Sequence, residues 1–207
     1  MLGVSPFFLN GFYNSSISNK PGLYWSADIF AWIILPVLLL IIAFKRKLVT
    51  FETLGLTVFK HQVPFIGIAC IIACPLLYYT YFYSYEYAKS EFPTNYLKVG
   101  FSYQALIPTE PPLSYLTTIY FSLTAGFVEE ILYRSFYFNL FKKTAYQTLI
   151  FFVTSSLIFS LVHWEGGIHN LFATLVFGFV ACALFLTTKN IWPCIIGHCF
   201  VDIVYFS

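Results

Sequence analysis

Between residues 129 and 134 the sequence reads EEILYR, which sets two carboxylates side by side and a guanidinium four residues later within an otherwise oily stretch. On a helix, residues four apart share a face, so Glu130 and Arg134 can pair, with the glutamate on the favourable N-terminal side. Glu129 is rotated about 100° from Glu130 and has no such local partner. It is a carboxylate whose proton affinity and reactivity a cavity can tune. The segment HCFVD repeats the four-residue step with His198 and Asp202, and a carboxylate one turn from an imidazole can fix its tautomer and orientation. In FSLVH, His163 follows Phe159 by the same step. An ionisable residue at bilayer depth costs about 2.5–3.5 kcal/mol on insertion scales, so such residues normally face a bundle interior or a wet cavity. One interior site would explain Glu129, Glu130, Arg134, His163, His198 and Asp202 at once; the plainer reading is that they only hold helices together. Asp28 stands apart from them, near the start of a helix.

The elements that must position these groups follow from composition. Of 207 residues, 59% are hydrophobic and 22% aromatic, and only 10% are charged. Soluble domains are about a quarter charged, so the chain reads as an all-α, polytopic membrane helix bundle. The net charge of +2 is too small to suggest nucleic-acid binding. The opening MLGVSPFFLNGFYNSS lacks the basic start and long apolar core of a cleavable signal. Cys70, Cys74, Cys182, Cys194 and Cys199 all fall in apolar stretches, which argues against a disulfide framework.

Spanning helices need roughly 20 mostly apolar residues, and lipid cannot satisfy the backbone of open strands. That rule places about six helices, near 27–44, 63–83, 113–141, 146–164, 170–187 and 191–206, the last one short. Pro111 and Pro112 suit the start of the third, and Pro193 the first turn of the sixth. With the N-terminus outside, the cytoplasmic loops hold Lys45, Arg46, Lys47, Lys60, Lys142, Lys143 and Lys189, against Lys20, Lys89 and Lys98 outside, which supports that orientation. No internal repeat stands out. The long loop near 84–112 is a connector or an interfacial lid, and the connector is the simpler reading. Counting along helices from the cytoplasmic side puts Glu129 at about 18 Å, His198 at about 13 Å and His163 at about 27 Å, so His163 sits high.

Two other patterns carry less. HWE at 163–165 with Pro193 and Cys194 faintly resembles a zinc deaminase signature, but Gly197 stands where the second cysteine is needed. GGIHN suggests a tight turn, with His169 as a rim residue.

EEILYR, FSLVH and HCFVD together resemble the three signature motifs of the CPBP (CAAX protease and bacteriocin-processing) intramembrane proteases: EExxxR, FxxxH, and Hxxx followed by Asn or Asp. The resemblance covers about 113–207, a CPBP-like catalytic helical core, and leaves 1–112 as an N-terminal region with two transmembrane helices and an extracytoplasmic loop. Asp202 stands where many members have asparagine. The resemblance implies an endopeptidase acting on a membrane-anchored or lipidated protein or peptide, in a bacterial sorting or processing role at the inner membrane. It further implies that Glu129 is general base to a water held with His163. His198, oriented by Asp202, would stabilise the oxyanion or sit beside the same water, and Glu130 with Arg134 would hold the third helix. The family is also called a metalloprotease group, and Glu129, His163 and His198 would form a two-histidine, one-carboxylate set suited to zinc. Metal-dependent and glutamate-dependent hydrolysis both stay open. The competing readings are a non-catalytic bacteriocin-immunity or partner-binding protein and a proton-coupled transporter.

Overall fold

The computed structural model describes residues 20–98, 103–141 and 146–207. Residues 1–19, with the opening segment, and Lys142 and Lys143 lie outside them. Six helical stretches, with no strand among the described residues, form one bundle. The first, α1, joins Pro21–Ile29, a π-helical turn Phe30–Ile34 and Leu35–Lys45. Pro36 explains the widened turn: it has no N–H to donate, and its ring crowds the carbonyl four residues back. Helix α2 is Val63–Glu91, and α3 joins Leu113–Glu130, a second π-helical turn Ile131–Phe136 and Tyr137–Leu140. Helices α4, α5 and α6 are Gln147–Leu161, Gly167–Thr188 and Trp192–Phe206.

Three segments are long and apolar enough to cross a membrane, Gly22–Lys45, Lys60–Glu91 and Trp164–Thr188, while Gln147–Leu161 and Trp192–Phe206 are shorter apolar helices. The expected boundaries hold to a few residues except at the start of α1, which begins at Pro21 instead of near 27, and at α2. That helix continues through a tyrosine-rich turn to Glu91 instead of stopping near 83, and the following loop is shorter by that amount. The third helix is not the uninterrupted α-helix expected, because its π-helical turn begins directly after Glu130. All five cysteines are free.

Between membrane helices, lipid offers no hydrophobic drive, so packing relies on close backbone approach at small residues. Helix α6 shows this on two sides. A Cβ on Gly126 of α3 would collide with the Cys199 sulfur and stand 3.3 Å from the Ile195 carbonyl oxygen. A Cβ on Gly197 would stand 3.0 Å from the Ala73 carbonyl oxygen of α2. The turn after α1 and the α5–α6 link meet at one end of the bundle, where Asn190 Nδ2 donates to Thr57 O at 3.0 Å and Ile191 N to Gly55 O at 3.0 Å. Gly55 adopts φ +69 there, against the 190–191 backbone.

At the other end, residues 92–98 are strapped onto the turn that carries His163. Ile168 N donates to Tyr96 O at 2.9 Å, Asn95 Nδ2 to Gly166 O at 3.2 Å, and His169 Nε2 to Phe92 O at 2.7 Å. His169 is therefore a buried strut of the strap, not a rim residue. The loop connects, as the simpler reading had it, and it also walls the cavity described below.

Gly197→Ala should lower the unfolding midpoint in detergent by the equivalent of about 1–3 kcal/mol of overpacking. Gly67→Ala, whose Cβ meets nothing within 4 Å, should leave it unchanged or slightly raised; equal midpoints for the two variants would contradict this packing.

Candidate active site

The π-helical turn of α3 lets more of the helix face inward than a regular turn allows: Glu129, Glu130, Tyr133, Arg134 and Ser135 are all buried. Glu130 is fully enclosed and holds two partners. Arg134 Nε lies 3.0 Å from Oε2, though not in line for a hydrogen bond, and Arg134 Nη2 donates to Oε1 at 3.3 Å. From α6, His198 Nδ1 donates to the same Oε1 at 2.8 Å. The i,i+4 spacing thus pairs Glu130 with Arg134 as expected, but the carboxylate that orients His198 is Glu130. Asp202, expected in that role, stands 3.7 Å from His198 Nε2.

Glu129 is placed differently. Its Oε2 has no hydrogen-bond partner and lies 3.6 Å from His163 Nε2. His163 Nδ1 is 2.7 Å from Phe159 O; a carbonyl only accepts, so the proton sits on Nδ1 and Nε2 faces Glu129. Asn170 Nδ2 donates to His163 O at 3.2 Å, and Tyr81 OH donates to Asn170 Oδ1 at 2.8 Å. The depth mismatch closes because α4 ends at Leu161 and His163 lies in the turn beyond it, held back by these bonds.

Phe159 joins the three segments. The Arg134 guanidinium carbon lies 4.4 Å from its ring centroid, and the rings of His163, His198, Tyr133 and Phe177 lie at 4.8, 5.9, 5.5 and 5.6 Å. Phe177 of α5 also meets the His198 ring at 5.0 Å. Sequence reasoning missed Phe177, Tyr81 and Asn170, and nothing in their local spacing singles them out.

Glu129, His163, His198 and Asp202 line one cavity of about 490 Å³, with Glu130 and Arg134 behind its wall. That volume lies within the usual range of ligand pockets. The arrangement offers an unpaired carboxylate beside an imidazole nitrogen and a second, carboxylate-oriented imidazole facing the same space. Among the described residues, no three His, Cys, Asp or Glu side chains come together at metal-ligand spacing, so Glu129, His163 and His198 as placed do not fit a zinc ion.

Arg134→Met should cost about 3–5 kcal/mol, since it leaves Glu130 buried without its cation. Adding Glu130→Gln should recover most of that loss in chemical unfolding of micelle-embedded protein. A single variant as stable as the parent would show that the pair carries no weight.

In comparison with known protein families, residues 111–204 fit the one described as type II CAAX prenyl endopeptidase Rce1-like. No curated protein and no solved structure matches. The matched segment, a little under half of the chain, holds Glu129, Glu130, Arg134, Phe159, His163, His198 and Asp202, and it is similar to the Rce1-like CAAX endopeptidases, in line with the CPBP motifs it carries.

Proposed function

We propose that this integral membrane protein is an intramembrane endopeptidase that hydrolyses a peptide bond of a membrane-anchored or lipidated protein or peptide, with water activated by Glu129. The observation that carries this reading is the contrast between neighbouring carboxylates. Glu130 spends its oxygens on Arg134 and His198, while Glu129 keeps an unpartnered Oε2 in the cavity wall beside His163. Glu130 Oε2 and Arg134 Nε also lack hydrogen-bond partners, but they face each other as opposite charges at 3.0 Å, whereas Glu129 Oε2 has His163 Nε2 at 3.6 Å beside it.

In the proposed reaction a water sits between Glu129 and His163 Nε2. Glu129 takes a proton from it as the oxygen attacks the scissile carbonyl carbon. The carbonyl π electrons move to oxygen, and His198, positioned through Nδ1 by Glu130, donates Nε2–H to that oxyanion when it carries a proton there. Collapse breaks the C–N bond, and Glu129 returns its proton to the leaving amine. Asp202, beside Nε2, favours a donor at that nitrogen. Tyr81 and Asn170 hold the His163 turn in place. No step runs through zinc, in keeping with the spacing of the donor side chains.

The fitting location is a bacterial inner membrane with the N-terminus outside. Lys45, Arg46, Lys47, Lys60 and Lys189 share the end tied by Asn190 and Gly55, which would face the cytoplasm. The cavity lining reaches Lys98, Gln104 and Glu165 at the opposite end, so substrate would enter from the extracytoplasmic side.

Mass spectrometry of membrane-anchored proteins in cells carrying wild-type or Glu129→Gln protein tests the reading. Cleavage of a terminus should fall about a hundredfold or more with the variant, which keeps size and hydrogen bonding and should still insert. Unchanged termini in both Glu129→Gln and His163→Ala cells would sink the protease and favour a binding protein. Purified enzyme should keep its rate after dialysis against a chelator; a loss restored by zinc would replace the glutamate route with a metal one.

A further inference from the structure

The mechanism leaves one buried charge unused. Asp28 of α1 is 1% exposed, lies outside the family match and all three motifs, and lines the same cavity as Glu129. Tyr24 OH donates to its Oδ1 at 3.3 Å and Tyr120 OH to its Oδ2 at 2.7 Å. Both donors are neutral, and each carboxylate oxygen keeps a further lone pair. Among the described residues no Lys, Arg or His lies within ion-pair distance of Asp28. A carboxylate removed from water with no counter-charge costs several kcal/mol, and two tyrosine bonds recover only part of it.

The surroundings suit a positive guest. Trp32, one turn from Asp28, and Phe121, beside Tyr120, present rings to the cavity, and aromatic faces attract ammonium and guanidinium groups. Among the described residues, Asp28, Glu129, Glu165 and Asp202 line the wall against Lys98 and the imidazoles of His163 and His198, which lie toward Glu129 and Asp202. The buried, unpartnered Oε2 of Glu129 faces the same space.

We infer that Asp28 is a substrate-positioning carboxylate that takes a cationic group, a lysine or arginine side chain, from the peptide lying in this cavity. The inference rests on the reading of the cavity as a peptide site. It also fixes a register. Tyr120 and Glu129 sit nine residues apart on one α-helix, about 13 Å along its axis, and an extended peptide rises about 3.3 Å per residue. The basic residue therefore lies about four residues from the bond that Glu129 addresses. A role confined to tying α1 to α3 would give no such charge preference.

The test uses the full chain in nanodiscs, carrying Glu129→Gln so that binding is read without cleavage. The probes are fluorescent Leu/Ser peptides with lysine, norleucine or glutamate scanned through one position at a time, followed by anisotropy against empty nanodiscs. At one register the lysine peptide should bind about tenfold tighter than the norleucine peptide, the glutamate peptide should bind weakest, and adding Asp28→Asn should bring the lysine-to-norleucine ratio to within about twofold. No lysine preference, or one that survives Asp28→Asn, overturns the inference. If Asp28→Asn does not fold, the exposed Lys98→Gln carries the test. It should tighten lysine-peptide binding about twofold to threefold by removing the lysine that lines the cavity among the described residues, and an unchanged affinity overturns the inference. Incubating the same peptides with the unsubstituted protein separates the two readings. A lysine preference without any cleavage supports Asp28 and counts against hydrolysis, whereas cleavage without that preference overturns Asp28 alone.

Discussion

The structure depends on how one carboxylate is neutralised away from water. Glu130 is fully enclosed and meets Arg134 from its own helix and His198 from α6. Taking such groups out of water is tolerable only when each finds its partner with good geometry. That requirement fixes the height and rotation of α3 against α6. Phe159 extends the constraint to α4, because its ring lies under the Arg134 guanidinium and its carbonyl accepts from His163. Three helices are thus locked in register around Glu130, Arg134 and Phe159. Glu129, one residue away, is delivered to the cavity with its charge unspent.

Apolar packing could not do this alone. Much of α1 and α2 presents large exposed hydrophobics, such as Ile42, Ile68 and Ile71, to the surroundings. In lipid such surfaces are as content outside the bundle as within it, so they give no register. Register comes from glycines that admit a neighbour's backbone and from polar ties that accept only one partner. The π-helical turn after Glu130 serves the same end, since a regular α-turn would rotate some of Glu129, Glu130, Tyr133 and Arg134 away from the interior. A wider turn costs hydrogen-bond quality, which the enclosed ion pair offsets.

What the sequence could tell depended on how far each partner lay along the chain. The Glu130–Arg134 pair was legible because its partners sit one turn apart. The same rule saw one side of His198: Asp202 stands 3.7 Å from its Nε2, but spacing says nothing about Glu130, a closer group that arrives from another helix and holds Nδ1. His163 looked too high because counting along an ideal helix ignores a chain that leaves the helix at Leu161 and is drawn back by Asn170 and the Asn95 strap. The tyrosine-rich turn at 84–91 read as loop because its composition suits an interface, yet its backbone bonds continue α2. Phe177 was hidden for a different reason: one phenylalanine among 25 carries no signal until it is seen against an imidazole.

The cavity also divides the chain in a way the family match does not. The groups suited to chemistry, Glu129, His163 and His198, all come from residues 111–204. Asp28, Trp32, Tyr81, Tyr85 and Lys98 add to the wall from before it, beside matched residues such as Phe121, Asn170 and Phe177. These two sets answer to different physical demands. Activating a water needs a fixed constellation of carboxylate and imidazole, so its residue types and spacings leave little room for change. Holding a particular chain beside that water needs only complementary shape and charge, which α1, α2 and the strapped loop can supply in many ways without disturbing the Glu130 tie. On the proposed reading, a matched segment that carries the reaction beside a first part that adds to selection is therefore the pattern expected of one bundle serving both demands.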